Sequence, residues 1–218
     1  MGERVALLHG LGRQPRSMRR LAHGLEQAGF EPLPIGYPSR THSIAELIDH
    51  LRPRLAALGT GRVHFVGHSL GGILLRALLA EPVPFTIGRF VMVAPPNRGA
   101  YVVTRLGRYP LLHRFFGRPA VELFRDAPWL AGWPVPACEI GIIAGSRGFH
   151  PLAPVSWANA LLNPHAHDGT VELDSTHLAG MRDHIVIAAN HTYICDHPDT
   201  LRLTLAFLTS GSFADRLA

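Results

Sequence analysis

The sequence contains no lysine. Its 21 basic residues are all arginine, set against 16 acidic residues, for a formal charge of +5. The arginines are scattered, with no basic run and no nucleic-acid-binding motif, so the charge does not read as a nucleic-acid footprint. Cysteine is scarce. Cys138 and Cys195 lack the spacing of a metal motif, and two cysteines imply no disulfide framework. No apolar stretch approaches the ~18 residues a membrane-spanning helix needs. The opening "MGERVALLHG" lacks the basic lead, long apolar core and small-residue cleavage site of a secretory signal. Together these absences make the cytoplasm the expected location. Charge runs, low-complexity stretches and internal repeats are also missing. With 47% hydrophobic residues in a chain of 218, disorder is excluded and one sizeable core is expected, hence a single domain over 1–218.

What the chain does have is alternation. Short apolar runs at 4–10, 30–38, 62–67, 88–94, 138–145 and 183–189 read as strands. Helical periodicity falls between or after them, at 17–29, 43–58, 70–81 and near 198–210; in the second, Ile44, Leu47, Ile48 and Leu51 share one face. Such a chain folds as α/β, with about six mostly parallel strands doubly wound by helices on both faces. Two stretches interrupt the pattern. Residues 146–182 look loop-like, and residues 98–136 mix aromatics with arginine. Within the second, Tyr101, Val102, Val103, Leu106, Tyr109, Leu111, Leu112, Phe115 and Phe116 are interleaved with Arg98, Arg105, Arg108, Arg114, Arg118 and Arg125. This composition suits a lid over an apolar pocket that touches a lipid surface. It equally suits a core-packing helix whose arginines face water.

The motif "GHSLGG" (67–72) lies between an apolar strand and a helix, the context that gives G-x-S-x-G meaning. A serine on a sharp strand-to-helix turn crowds the residues two before and two after it. Gly67 and Gly71 remove those collisions and leave the hydroxyl of Ser69 raised above the sheet. Taken alone, the motif also allows Ser69 to be a helix N-cap. Directly after the first strand, His9-Gly10-Leu11-Gly12 can aim a backbone N–H at a carbonyl under attack. Paired with the N–H that follows the serine, this assigns an oxyanion hole to Leu11 and Leu70, with His9 and His68 supporting the turns.

In combination, "HGLG", "GHSLGG" and "APPNRG" (94–99) resemble segments of α/β-hydrolases of the small bacterial esterase and lipase type, which includes lipase-like and GPI-inositol-deacylase-like hydrolases. "HDGTVEL" (167–173) and "NHTYI" (190–194) strengthen that resemblance. It implies a minimal α/β-hydrolase fold with a lid-like insertion, and a nucleophile, acid and base in the chain order serine, aspartate, histidine. His191, in the loop before the last helix, stands where such a fold presents its base, with His184 and His177 as rivals. Asp168 of D-G-T-V matches the orienting acid, with Asp174 and Asp183 as alternatives. His165, His167 and Asp168 form a histidine-rich cluster without recognised metal spacing, so neither metal nor cofactor is expected. The implied activity is hydrolysis of a small-molecule carboxylic ester, extending to lipid or medium-chain acyl esters. Acyl transfer by the same triad, and a non-catalytic binding module on the same fold, are the competing readings.

Overall fold

All six apolar runs become strands. They are β1 (Arg4–Leu8), β2 (Glu31–Ile35), β3 (Arg62–His68), β4 (Thr86–Val93), β5 (Ile140–Gly145) and β6 (Asp183–Ile187). The computed structural model describes residues 2–106 and 117–214. Arg108, Tyr109, Leu111, Leu112, Arg114, Phe115 and Phe116 of the expected lid lie outside them, as does the Leu106 side chain.

The strands form one fully parallel sheet in the order β2-β1-β3-β4-β5-β6. β1 is buried along Val5–Leu8 because both its faces are covered. Val5 and Leu7 join one core cluster, while Ala6 and Leu8 join the other. Pro32 and Pro34, which cannot donate to a ladder, are confined to the edge strand β2. The chain passes from β1 outward to β2, then crosses back to lay β3 on the other side of β1. That reversal opens a crevice at the C-terminal ends of β1 and β3, where open α/β sheets place their ligands.

Two layers of helix cover the sheet. A 3₁₀ turn (Pro15–Met18) leads into α1 (Arg19–Gln27), which shares one core with α8 (Pro198–Ser210). On the opposite face lie α2 (Ile44–Ala56), capped by a reciprocal Ser43–Glu46 box, and α3 (Leu70–Leu78). The α8 boundaries match the sequence reading: Pro198 starts the helix, and Gly211 closes it in the left-handed region at φ +81°. No described helix is long and apolar enough to cross a membrane.

The two irregular stretches carry short helices. Residues 98–136 contain α4 (Tyr101–Leu106), α5 (Arg118–Glu122) and α6 (Pro128–Ala131). Within the stretch expected to be loop, α7 (Pro154–Leu162) forms. Its amphipathicity is inverted, which is why periodicity did not reveal it: Ser156 and Asn159 face inward, while Trp157, Leu161 and Leu162 are exposed. Two of the inward polar atoms find partners, while the buried Asn159 Nδ2 has none among the described residues. Ser156 Oγ donates to the Ala153 carbonyl (2.7 Å), and the Asn163 amide donates to the Asn159 side-chain carbonyl (3.0 Å).

Candidate active site

Ser69 follows the last residue of β3 and precedes α3, with φ +51° and ψ −120°. A non-glycine residue pays for such angles with about 1–3 kcal/mol of strain, so the surroundings must impose them. The neighbouring glycines show how. A Cβ on Gly67 would lie 2.5 Å from Gly72 Cα, and one on Gly71 would lie 2.5 Å from the Leu8 carbonyl oxygen. Backbones of β1, β3 and α3 therefore meet at the serine more closely than any side chain permits. The Ser69 hydroxyl caps no backbone N–H of α3, which removes the N-cap reading.

The hydroxyl instead meets His191, whose Nε2 lies 3.0 Å from Ser69 Oγ. On the other side of the ring, Nδ1 donates to Asp168 Oδ2 at 2.7 Å. Asp168 Oδ1 accepts the backbone N–H groups of Thr170 (3.0 Å) and Val171 (2.8 Å), so both carboxylate oxygens are engaged. The loop closes on itself, with the His191 N–H donating to the Asp168 carbonyl (2.8 Å). Gly169, at φ +103°, makes the sharp turn that this return requires. All three side chains are buried.

The turn after β1 is equally fixed. Arg13 N–H donates to the Gly10 carbonyl (3.2 Å), with Gly12 at φ +66° in the third position, as a type II turn demands. Ser39 Oγ accepts the Gly12 N–H (3.0 Å), and the Tyr37 hydroxyl donates to the His9 carbonyl. The His9 ring stacks on Tyr37 at 4.3 Å and donates through Nδ1 to the Gly10 carbonyl (2.9 Å). Gly10 leaves room for His68, since a Cβ there would lie 2.7 Å from His68 Nδ1. Burial, together with the nearby His191 and Arg13, holds the His68 ring well below the usual histidine range. The neutral ring donates from Nε2 to the His191 carbonyl (3.2 Å). Neither the Leu11 N–H nor the Leu70 N–H has an acceptor among the described residues.

Ser69, His68 and His191 line a cavity of about 240 Å³. Its remaining walls are Leu11, Arg13 and Pro96, then Ala100, Val102, Val103, Ala120 and Leu123 from the segment 98–136, with Val155, Thr170, Val171 and Thr192. That segment is tied down beside the site. Buried Glu172 accepts the Tyr101 N–H (3.1 Å) and pairs with Arg125 (3.5 Å), which also holds Asp174 (2.5 Å).

A sequence model described as the alpha/beta hydrolase family matches residues 5–214. The chain belongs to the alpha/beta hydrolase family. No curated protein matches it by sequence. Among solved structures, this alpha/beta hydrolase is similar to lipase BlEst2 of Bacillus licheniformis in its mature form. The TM-score is 0.77 at 16% identity, covering 95% of this chain and 92% of that one. It is similar to the metagenomic carboxyl esterase MGS0156, with TM-score 0.71 at 18% identity, over 87% of this chain and 64% of that one. It also resembles phospholipase PlaB of Legionella pneumophila, with TM-score 0.57 at 17% identity, over 79% and 45% of the two chains. Identities this low establish a shared fold.

Against that fold, the competing site residues have other partners in this alpha/beta hydrolase. Asp183 accepts the Phe213 N–H (2.7 Å), and Asp174 is held by Arg125. His184 meets Thr176 Oγ1 at 2.9 Å and stacks on His177 at 4.2 Å. In the histidine-rich loop, His167 Nδ1 accepts the Gly169 N–H (2.9 Å); no cluster able to hold a metal ion occurs among the described residues. Sequence reasoning missed Ser39, Tyr37 and Asn190. The Asn190 amide donates to the carbonyls of Asp168 (2.9 Å) and Arg147 (3.2 Å), fixing the loop that carries His191. Its place beside the histidine was the one available signal.

Proposed function

We propose that this alpha/beta hydrolase is a serine hydrolase that cleaves carboxylic esters through an acyl-enzyme. The observation that carries this reading is the unbroken chain Asp168–His191–Ser69, with links of 2.7 and 3.0 Å, opening into a pocket with apolar walls. Ser69 Oγ attacks the ester carbonyl as its proton passes to His191 Nε2. Asp168 holds the ring in the Nδ1–H tautomer and stabilises the imidazolium. The N–H groups of Leu11 and Leu70 take the oxyanion. Collapse breaks the ester C–O bond, and His191 delivers its proton to the departing alcohol. Water then attacks the acyl-enzyme by the same route, releasing a carboxylic acid and restoring Ser69. No step calls for a metal or cofactor.

In this reading residues 1–218 act as one domain, and the segment 98–136 serves as the wall and cover of the acyl pocket. Lipase, carboxyl esterase and phospholipase neighbours accord with an ester as substrate. Ligand pockets commonly run about 300–1,000 Å³, so a cavity of about 240 Å³ favours short acyl chains. The test is hydrolysis of p-nitrophenyl esters from acetyl to palmitoyl by the wild type and Ser69→Ala. Activity at the short end that disappears in Ser69→Ala, with its thermal midpoint unmoved, is expected. Equal turnover by both proteins would sink the assignment. An optimum at palmitoyl would instead overturn the reading of the pocket.

A further inference from the structure

Among the described residues, the cavity beside Ser69 is lined by one arginine, and that arginine has no counter-ion. Arg13 is half-buried in its wall, and no Asp or Glu lines the same cavity. Asp168, behind His191, is committed to His191, Thr170 and Val171. Among the described residues the Arg13 guanidinium forms no ion pair, and its one acceptor is the Thr192 carbonyl, met by Nη2 at 2.8 Å. A guanidinium carries five donors in a planar fork, so most remain available in a place where water is partly excluded.

Position adds direction. Thr192 directly follows His191, so the hydrogen bond anchors the guanidinium on the histidine side of the serine. That is the side from which His191 delivers a proton to the leaving alcohol. Val102, Val103, Leu123, Val155 and Val171 offer apolar surface to a bound chain. We infer that Arg13 selects esters whose alcohol portion bears an anionic oxyacid group, a carboxylate or a phosphate, while the acyl portion is apolar. The inference rests on the serine-hydrolase reading above. It goes further by fixing the charge of the substrate and the end that carries it. Arginine recognises both groups through the same paired N–H···O geometry.

The experiment compares 4-(butyryloxy)benzoate, 4-(butyryloxy)phenyl phosphate and the neutral methyl 4-(butyryloxy)benzoate as substrates of the wild type, Arg13→Gln and Arg13→Lys. Differences in intrinsic reactivity cancel when each anionic-to-neutral ratio of kcat/KM is compared between proteins. In Arg13→Gln that ratio should fall about tenfold or more, mainly through KM, the effect of losing a charge-assisted hydrogen bond. Arg13→Lys, which keeps the charge but loses the paired fork, should retain only part of the ratio. The anion with the larger loss identifies which oxyacid the site prefers. An unchanged ratio in Arg13→Gln overturns the inference, including when all three rates drop together, because Arg13 would then serve only to hold the Thr192 carbonyl. If the wild type hydrolyses none of the esters, the catalytic reading fails on its own account. The anion site is then read by calorimetric titration of Ser69→Ala with 4-hydroxybenzoate and its methyl ester. Tighter binding of the anion, lost on adding Arg13→Gln, supports the site; equal affinities overturn it.

Discussion

His68 Nε2 donates a hydrogen bond to the backbone carbonyl of His191, 3.2 Å away, so the residue before the serine holds the histidine that meets the serine hydroxyl. Removing the donor leaves a buried carbonyl unpaired, at a cost of about 1–3 kcal/mol. His68→Leu should therefore lower the unfolding free energy, read from urea titration, by that amount and reduce kcat as well. His68→Gln, which can still donate, should recover most of both. Equal losses in the two variants would assign His68 to packing.

Asp168→Asn tests the orientation of the base. The amide can still accept the Thr170 and Val171 N–H groups at Oδ1, so folding should survive. Its NH₂ then opposes the Nδ1–H of His191 and favours the wrong tautomer. In another serine hydrolase the equivalent change costs about 10⁴ in kcat. A drop of that order, at an unchanged circular dichroism spectrum, is the expected result.

Neighbouring glycines in one motif should respond very differently to alanine. On Gly71 the new Cβ meets the Leu8 and His9 carbonyl oxygens at 2.5 and 2.6 Å, where nothing can yield but backbone. On Gly72 the nearest atom is the Gly67 carbonyl oxygen at 3.2 Å, followed by the flexible Met92 at 3.4 Å. Thermal denaturation should show Gly71→Ala badly destabilised or unfolded. Gly72→Ala should cost at most about 1–3 kcal/mol, the usual scale of overpacking.

Stability should fall with acid in a definite window. Burial, foremost among the causes, holds the rings of His68, His9, His64 and His184 below the ordinary histidine value. The folded state thus binds fewer protons than the unfolded one. The stability these rings confer is complete above about pH 6.5 and is lost as pH falls from there through the lowered folded values. Glu172 acts in the opposite sense. Burial raises its carboxyl, against hydrogen bonds and Arg125, so protonation relieves its cost as pH falls through that raised value. His167 is lowered by burial in the same way, so the histidines outnumber Glu172 and the thermal midpoint should decline between about pH 7 and 5.5. A flat profile would contradict the neutral state of the buried rings.

Much of the fold is legible in the sequence. Elements that announced themselves did so by simple physics: Val5–Leu8 and Phe90–Val93 are apolar because both sheet faces are covered, and the α8 boundaries are marked by Pro198 and Gly211. The pairing of Ser69 with His191 spans 122 residues, and the motifs alone placed both in register with the fold they resemble. What sequence left hidden depends on contacts that no period encodes. Helix α7 turns Ser156 and Asn159 inward, where Ser156 Oγ and the Asn159 side-chain carbonyl find partners, which a hydrophobic pattern cannot anticipate. Tyr37 and Ser39 reach the turn after β1 from a loop whose course only the folded chain defines. Arg13 read as one scattered arginine among 21 until the cavity gathered its walls.

The crowding of backbones around Gly67 and Gly71 has a consequence for how the two sides of the site breathe. The Ser69 amide donates to the Val93 carbonyl (2.9 Å), deep among strands that separate only when the sheet does. Its proton should exchange with deuterium as slowly as any in the protein, on the timescale of global opening. Helices α4, α5 and α6 across the cavity span six, five and four residues, too short to persist alone, so their amides should exchange through local opening. The serine and the helices of the segment 98–136 thus belong to different cooperative units. Under the proposed function, an ester would be admitted by the half that opens and met by the half that does not.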